Sequence, residues 1–193
     1  MELQGERLIP APVDTTWAAL NDPEVLKACI AGCESLQRTG DDAFAAVVAV
    51  KVGPVSARFR GNLKLTNVEP PRRYTINFDG QGGVAGFGRG SADVSLSPDG
   101  TDGLRTRLGY LAKAQVGGKL AQVGSRLIDA AAGKIADDFF KAFEANLQAR
   151  GLVPTEPAAA AAATPVAVRR PPGQLGWGLS ALVIAALLYF LLR

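Results

Sequence analysis

Few residues in this chain are of the types that usually carry out chemistry. Its 193 residues include no histidine, which excludes histidine acid–base catalysis, histidine-activated nucleophiles and most catalytic zinc sites. Cys29 and Cys33 are four residues apart, whereas metal and redox pairs usually have the spacing C-x-x-C, and no other thiol could complete a tetrahedral site. We interpret them as two small, partly buried thiols at the end of a helix.

The glycine-rich segment 80–90 (GQGGVAGFGRG) has the composition of a nucleotide-binding loop. A dinucleotide loop opens a helix, however, and residues 91–97 alternate between apolar and polar like a strand. The segment also lacks the G-K-[ST] signature. The sequence therefore predicts an open turn between two strands, either the flexible rim of a cavity or a plain wide hairpin, with Phe87 as its one large side chain.

The charged residues do not indicate a nucleic-acid partner. Residues 1–150 carry 18 Lys and Arg against 17 Asp and Glu, so the net charge of +3 comes mostly from the rest of the chain. No basic stripe with interleaved aromatic residues is present. Asp137 and Asp138 are adjacent and would point in different directions on a helix, so we expect solvated carboxylates rather than a catalytic dyad.

The elements that must position any site follow from the periodicity. Residues 2–9 predict a strand, Asp14 caps a short helix to Leu20, and Pro23 begins a second short helix that ends near Gly32. Between residues 43 and 113 the apolar residues then alternate with a period of two, and turn sequences separate the runs. This pattern predicts five or six antiparallel strands with one apolar face; residues 43–52, apolar on both faces, form a covered or central strand.

From Lys119 the period becomes 3.6, which predicts one amphipathic helix of about eight turns that ends before Gly151. Its apolar stripe is Leu120, Val123, Leu127, Ala131, Ile135 and Phe139, widened by Ile128, Ala142, Phe143 and Leu147. This helix is the one element long enough to cover the apolar face of the sheet. The predicted fold class is thus α+β, a curved antiparallel sheet wrapped around a long C-terminal helix.

A sheet that grips a helix in this way leaves a lipophilic space between them, which is the natural ligand site of the fold. The candidate lining residues are large apolar side chains on the two faces that must meet. They are Phe59, Leu63, Ile76, Phe78, Phe87, Tyr110, Leu127 and Ile135. No catalytic or metal-binding residue is predicted.

Four blocks carry a resemblance to a known family: residues 10–36 (PAPVDTTWAALNDPEVLKACIAGCESL), 50–65 (VKVGPVSARFRGNLKL), 85–96 (AGFGRGSADVSL) and 114–140 (AQVGGKLAQVGSRLIDAAAGKIADDFF). Over residues 1–148 the chain resembles the family of the G subunit of carbon monoxide dehydrogenase, which is similar to the START-like, helix-grip (SRPBCC) superfamily. The resemblance implies an accessory protein that holds an aerobic, molybdenum-containing CO dehydrogenase, or a related hydroxylase, at the membrane where electrons reach the quinone pool. It implies no catalytic residue.

The end of the chain predicts a membrane anchor. Residues 175–192 (LGWGLSALVIAALLYFLL) carry no charge, and a helix of that length reaches about 27 Å, close to the ~30 Å hydrocarbon core. Arg169 and Arg170 precede the segment, and the N-terminus has no apolar signal-peptide region. We expect a START-like domain at 1–150, a Pro/Ala-rich linker at 151–174 and a single transmembrane helix at 175–193, with the domain on the cytoplasmic side of the cytoplasmic membrane.

Three functions remain open from the sequence. The first is a membrane-tethered carrier whose cavity holds a quinone-like or lipid-like molecule and presents it to the dehydrogenase. The second is a recruitment or assembly adaptor whose core is filled. The third is an enzyme, since START-like folds include cyclases and hydrolases, but the absence of histidine and of a carboxylate pair argues against it.

Overall fold

The alternating pattern of residues 33–117 folds into hairpins. In the computed structural model, which describes residues 2–101 and 103–154, the strands are β1 (Glu2–Ile9), β2 (Cys33–Gly40), β3 (Ala43–Val52), β4 (Val55–Glu69), β5 (Arg73–Gln81), β6 (Phe87–Asp99) and β7 (Arg105–Gly117). They form one antiparallel sheet in the order β1-β7-β6-β5-β4-β3-β2. Strands β2 to β7 are therefore a meander, and β1 adds to its far edge beside β7.

Three helices complete the fold: α1 (Val13–Leu20), α2 (Pro23–Cys29) and α3 (Ser125–Ala149), with short 3₁₀ turns at Gly83–Ala85 and Ala121–Val123. Pro23 opens α2, and the Asp22 side chain caps it by accepting a hydrogen bond from the Glu24 amide at 2.9 Å. The predicted cap of α1 is wrong: the N-cap is Pro12 and the helix begins at Val13, two residues earlier than predicted, so Asp14 lies inside the first turn.

The predicted antiparallel sheet is confirmed, and β3 is a central strand between β2 and β4; β2 itself, at Cys33–Gly40, lies outside the predicted strand region. Alternation holds on every central strand; on β5, for example, Tyr74, Ile76 and Phe78 are buried while Arg73 and Asn77 are exposed. The apolar face of the sheet packs on α3, and the polar face is exposed to solvent. The molecule is thus an α+β fold in which the curved sheet grips the C-terminal helix.

The predicted start of the long helix is wrong. Gly124 adopts a positive φ of 91°, which separates α3 from the preceding turn, so Leu120 and Val123 belong to the connection rather than to the helix. The buried stripe shares Ile128, Phe139, Phe143 and Leu147 with the predicted one but has Ala132, Ala136 and Phe140 in place of Leu127, Ala131 and Ile135. It consists of Ile128, Ala132, Ala136, Phe139, Phe140, Phe143 and Leu147.

The predicted linker beyond Pro154 and the predicted transmembrane helix at 175–193 lie outside the described residues. Within residues 2–101 and 103–154, no helix is both long and apolar enough to cross a membrane. The anchor stays a prediction from the sequence.

Candidate ligand site: the grip and its mouth

The space between sheet and helix has two unlike halves. We call the end near Ile9, Leu96 and the C-terminal part of α3 the closed half. We call the opposite end, formed by the β3–β4 hairpin, the β5–β6 loop and the start of α3, the mouth half. The strand register places the row Tyr74–Val94–Tyr110 in the closed half and the row Ala46–Gly61–Gly80–Gly88–Val116 in the mouth half.

Large side chains fill the closed half. Phe139 lies edge-on to Phe140 at 5.5 Å between ring centroids and stacks on Phe143 at 5.8 Å. From the sheet, Tyr110 stacks on Phe140 at 6.4 Å. Phe139, Phe140 and Phe143 are at most 1% exposed, so this half is packed by the protein's own aromatic residues.

Two buried hydroxyl groups join α1 to β7 at the same end. Thr106 Oγ1 donates to the Ala11 carbonyl at 2.7 Å, and Thr16 Oγ1 lies 3.3 Å from that carbonyl and 3.2 Å from Thr106 Oγ1. Both threonines are fully buried. Because each buried hydroxyl has a partner, the closed end is sealed without an unsatisfied polar group at these two positions.

At the edge of the closed half, β1 places Arg7 against α3. Its guanidinium forms an ion pair with Asp137 and lies 5.2 Å from the centre of the Phe140 ring. Burial raises the pKa of the nearby Glu144 carboxyl, and the positive charge of Arg7 opposes that rise. Asp138 instead pairs with Lys134. The two adjacent carboxylates therefore have separate cationic partners, as expected for residues that do not form a dyad.

The mouth half is built from small residues. Its inner row on the sheet contains alanine and glycine at four of five positions, and α3 buries Ala132 and Ala136 completely. On the central strand β4, the inner-face residues Ala57, Leu63 and Leu65 remain half-buried. The helix therefore covers the apolar face less completely here than in the closed half.

The large rings of the mouth half rest on glycine. A Cβ atom at Gly82 would overlap the Phe59 ring, and a Cβ at Gly117 would overlap the Phe87 ring. Gly90 likewise leaves room for the tip of Phe78. Glycine at these positions thus leaves room for the rings, which agrees with the strand–turn–strand context of the loop.

An apolar groove of about 400 Å³ opens at the mouth, between the β3–β4 hairpin and the start of α3. Its lining residues are Pro54, Val55, Lys119, Gln122, Val123 and Leu127. The β5–β6 loop is fastened beside it, because the Leu120 amide donates to the Ala85 carbonyl at 3.1 Å. Val84, at the tip of that loop, is 84% exposed.

A larger groove of about 810 Å³ crosses the outer face of the sheet. Polar and charged side chains, among them Asn62, Lys64, Arg89 and Lys113, line it. Phe44, Leu63 and Phe78 also contribute to its walls, so this groove has a mixed polar and apolar lining.

The eight predicted lining residues fall into three groups. Phe59, Ile76, Phe78 and Tyr110 are buried in one core cluster, and Leu63 and Ile135 are half-buried against it. Leu127 instead lies at the mouth and is 51% exposed, and Phe87, 38% exposed at the start of β6, lies on the outer face of the sheet with Arg89 and Asp93. Their contact with a ligand stays a prediction.

The sequence reasoning missed Pro54, Val55 and Val123 as residues of the mouth. The available signal was the Gly53-Pro54 turn with apolar residues on both sides, which by itself indicates only a strand boundary. Val123 was assigned to the helix stripe, and its actual position depends on the break at Gly124.

Both cysteine thiols have low reactivity because their pKa values are raised. Burial raises the pKa of Cys29 to about 11 against the opposing charge of Arg150, and burial also raises the pKa of Cys33. A thiol with a raised pKa is a poor nucleophile and metal ligand. In the part of the chain that the structure describes, no group of three or more Cys, Asp or Glu residues could hold a metal ion.

Solved structures share this architecture. A conserved protein from Geobacillus kaustophilus has 30% identity and a TM-score of 0.72, over 77% of this chain and 96% of its own. A Thermus thermophilus protein has 18% identity and a TM-score of 0.59, over 78% and 99% of the two chains. The Zhui aromatase/cyclase from Streptomyces sp. R1128 has 14% identity and a TM-score of 0.58, over 78% and 95%. The last two likenesses establish the helix-grip fold alone.

No curated protein sequence gives a significant match. The sequence profile of the carbon monoxide dehydrogenase G subunit (CoxG), in contrast, matches residues 5–148, which include almost every helix and strand residue described above. By that match this chain belongs to the CoxG family of carbon monoxide dehydrogenase subunits.

Proposed function

We propose that this protein is a membrane-anchored accessory protein of an aerobic, molybdenum-containing CO dehydrogenase. Its grip domain binds a lipophilic, quinone-like molecule and recruits the enzyme to the cytoplasmic membrane. The family supports the association with a CO dehydrogenase. The apolar segment 175–192 supports the anchor, since its length and lack of charge suit a single membrane-spanning helix.

The observation that carries the ligand proposal is the small-residue half of the grip. The inner row of the sheet there is mostly glycine and alanine, α3 buries Ala132 and Ala136, and Leu63 and Ile135 remain half-buried. The region also has an apolar opening at Val55, Val123 and Leu127. Apart from Lys119 and Gln122 the opening is lined by apolar side chains, so a lipophilic ring system could enter there.

The alternative is a recruitment adaptor without a ligand. The deep burial of Phe59, Ile76 and Phe78 favours it, because side chains that line an open cavity stay in contact with solvent when the cavity is empty. In that case the small residues would serve close approach of α3 to the sheet.

We further propose that the protein itself is not a catalyst and that electron transfer belongs to the partner enzyme. The chain has no histidine, and its adjacent carboxylates Asp137 and Asp138 are paired with Arg7 and Lys134. A fold likeness to an aromatase/cyclase at 14% identity does not bear on activity.

Two variants of α3 separate carrier from adaptor. Ala132 is fully buried in the mouth half, whereas Ala130 is exposed on the same helix, so Ala132→Leu and Ala130→Leu add the same atoms to opposite faces. If the space is a cavity, Ala132→Leu fills it, keeps the parent stability and abolishes quinone binding. If the core is filled, the same change costs about 1–3 kcal/mol by overpacking.

The readouts are mass spectrometry of organic extracts from the purified protein and titration of a short-chain quinone against the domain. Ala130→Leu should match the parent in both. The carrier proposal fails if the extract holds no lipophilic molecule, the domain binds no quinone at micromolar concentration and Ala132→Leu is destabilised. The adaptor would then be the remaining function.

The anchor has its own test. Full-length protein should stay in the membrane fraction after a high-salt wash, and Leu182→Arg should cost about 2.5–3.5 kcal/mol of insertion free energy. Protein that fractionates as soluble in cells would refute the anchor.

A further inference from the structure

The mouth carries large apolar side chains in contact with solvent. Val84 is 84% exposed, Leu127 is 51% exposed and Phe87 is 38% exposed. Val55 and Val123 are half-buried and line the apolar groove together with Leu127. We call these five residues the mouth rim. These exposed apolar side chains can leave water only if an apolar phase outside the domain covers them.

The charge around the mouth rim has one dominant sign. Lys51 lies near the end of β3, Lys119 lines the groove and Arg126 lies in the first turn of α3; all three are exposed. None of them forms an ion pair with any residue in 2–101 or 103–154. Residues 50–60, 80–88 and 116–128, which carry the rim, contain no Asp or Glu; the adjoining carboxylates are Asp79, Asp129 and Glu34, and Glu34 pairs with Arg58.

From these observations we infer that the mouth rim docks the folded domain on an anionic bilayer surface. The apolar tips enter the interfacial layer while Lys51, Lys119 and Arg126 meet lipid phosphates. Each Lys or Arg near such a surface strengthens partitioning about fivefold, so three together amount to about 100-fold. A stable protein interface would instead be expected to present a continuous, charge-depleted apolar core.

The length of chain beyond the domain permits this orientation. Helix α3 has 25 residues and is about 37 Å long, so the mouth lies that far from the point where the chain leaves the domain. The 20 residues 155–174 before the predicted anchor can reach about 60 Å at the rise of Pro-rich chain. A tail fixed in the bilayer and a mouth on the same bilayer are therefore compatible.

The test uses residues 1–154. This part contains the whole buried core, from Ile9 to Leu147, and corresponds to nearly the full length of the Geobacillus kaustophilus structure, so it is a complete folding unit. Sedimentation with vesicles of phosphatidylcholine and phosphatidylglycerol (1:1) is compared with sedimentation on phosphatidylcholine alone. We expect binding to the anionic vesicles to be at least tenfold tighter and to weaken with salt.

Matched variants locate the surface. Lys119→Glu should weaken binding at least tenfold, whereas Lys141→Glu, the same change at an exposed site on the second half of α3, should weaken it less than threefold. Val84→Asp should reduce binding, and Leu8→Asp, at an exposed leucine on β1, should not.

A direct probe is Val84→Trp with brominated lipids, which quench only indoles inside the bilayer. Trp17 is the other tryptophan of residues 1–154 and packs on Tyr74 at 5.2 Å, so its fluorescence should remain. Equal binding to both vesicle types, equal effects of Lys119→Glu and Lys141→Glu, or an unquenched indole in the Val84→Trp variant would overturn the inference. Variants that bind vesicles normally but no longer bind the dehydrogenase would also overturn the inference. Vesicle binding without quinone binding leaves the inference intact and refutes only the proposed cargo.

Discussion

The closed half and the mouth half of the grip are formed by the same sheet and the same helix but differ in packing. In the closed half, Phe139, Phe140 and Phe143 meet Tyr110 in a packed aromatic cluster. In the mouth half, Ala132 and Ala136 face a sheet row of mostly glycine and alanine, and the rim leaves Val84 in solvent. The difference teaches that aromatic packing is concentrated at one end of the domain, which agrees with the proposal that the other end binds a ligand.

The largest effect should come from the closed half. Phe143→Ala removes a fully buried ring that stacks on Phe139, and we expect a loss of about 3–5 kcal/mol in the free energy of unfolding. Chemical denaturation monitored by circular dichroism measures it. A loss below about 1 kcal/mol would mean that the closed half is not the packed end.

The buried hydroxyl pair should have a smaller effect. Thr106→Val removes the 2.7 Å hydrogen bond to the Ala11 carbonyl and leaves only the longer contact from Thr16, so we expect a cost of about 1–3 kcal/mol. Thr39→Val, at an exposed threonine of β2, serves as a control with the same change of atoms. Equal costs for the two variants would contradict a special role of the closed end.

A change at the rim should affect binding more than stability. Phe87→Ala removes a ring that is 38% exposed and rests on Gly117, so we expect a cost under about 1.5 kcal/mol together with weaker quinone binding. Phe78→Ala and Tyr110→Ala complete the series. If all three unfold the domain and the parent binds no lipophilic ligand, the carrier proposal fails and the adaptor remains.

The rate of cysteine modification tests the same comparison between a buried site and an exposed site. The pKa of Cys29 is raised from 9.0 to about 11, so between those values the unfolded chain loses this proton before the folded protein does. Stability from this group is therefore complete below the lower pKa and is lost as the pH rises through the higher one. At about pH 8, below both values, iodoacetamide should modify Val84→Cys rapidly and Cys29 only after unfolding, as measured by mass spectrometry. Rapid native modification of Cys29 would show that the packed core opens.

The last prediction is that nucleotides do not change the stability of the domain. Millimolar ATP, NAD or FAD should leave the melting temperature unchanged, because the β5–β6 loop connects strands and offers no helix N-terminus for a phosphate. A shift of several degrees would reveal a site there, since a ligand bound to the native state adds to stability.

The sheet and the general fold were predictable because alternation with a period of two survives in every central strand. The positions of the side chains between sheet and helix were not predictable. The helix stripe was misplaced because Gly124 has a positive φ that no apolar pattern records, and Leu127 therefore lies at the mouth instead of facing the sheet. Predicting which of the eight candidate residues contact a ligand requires the spacing between sheet and helix, and periodicity carries no information about that spacing.

The pairing of β1 with β7 has a consequence for the order of assembly. Strands β2 to β7 form hairpins between neighbours in the chain, whereas Gly5 pairs with Tyr110 and Thr106 bonds to Ala11, 95 residues away. Contacts so distant in sequence require a large loop to close, so they form late. On the ribosome, β1 has no partner until β7 has emerged. The end of the domain that is best packed in the native state is therefore the last to be completed during synthesis.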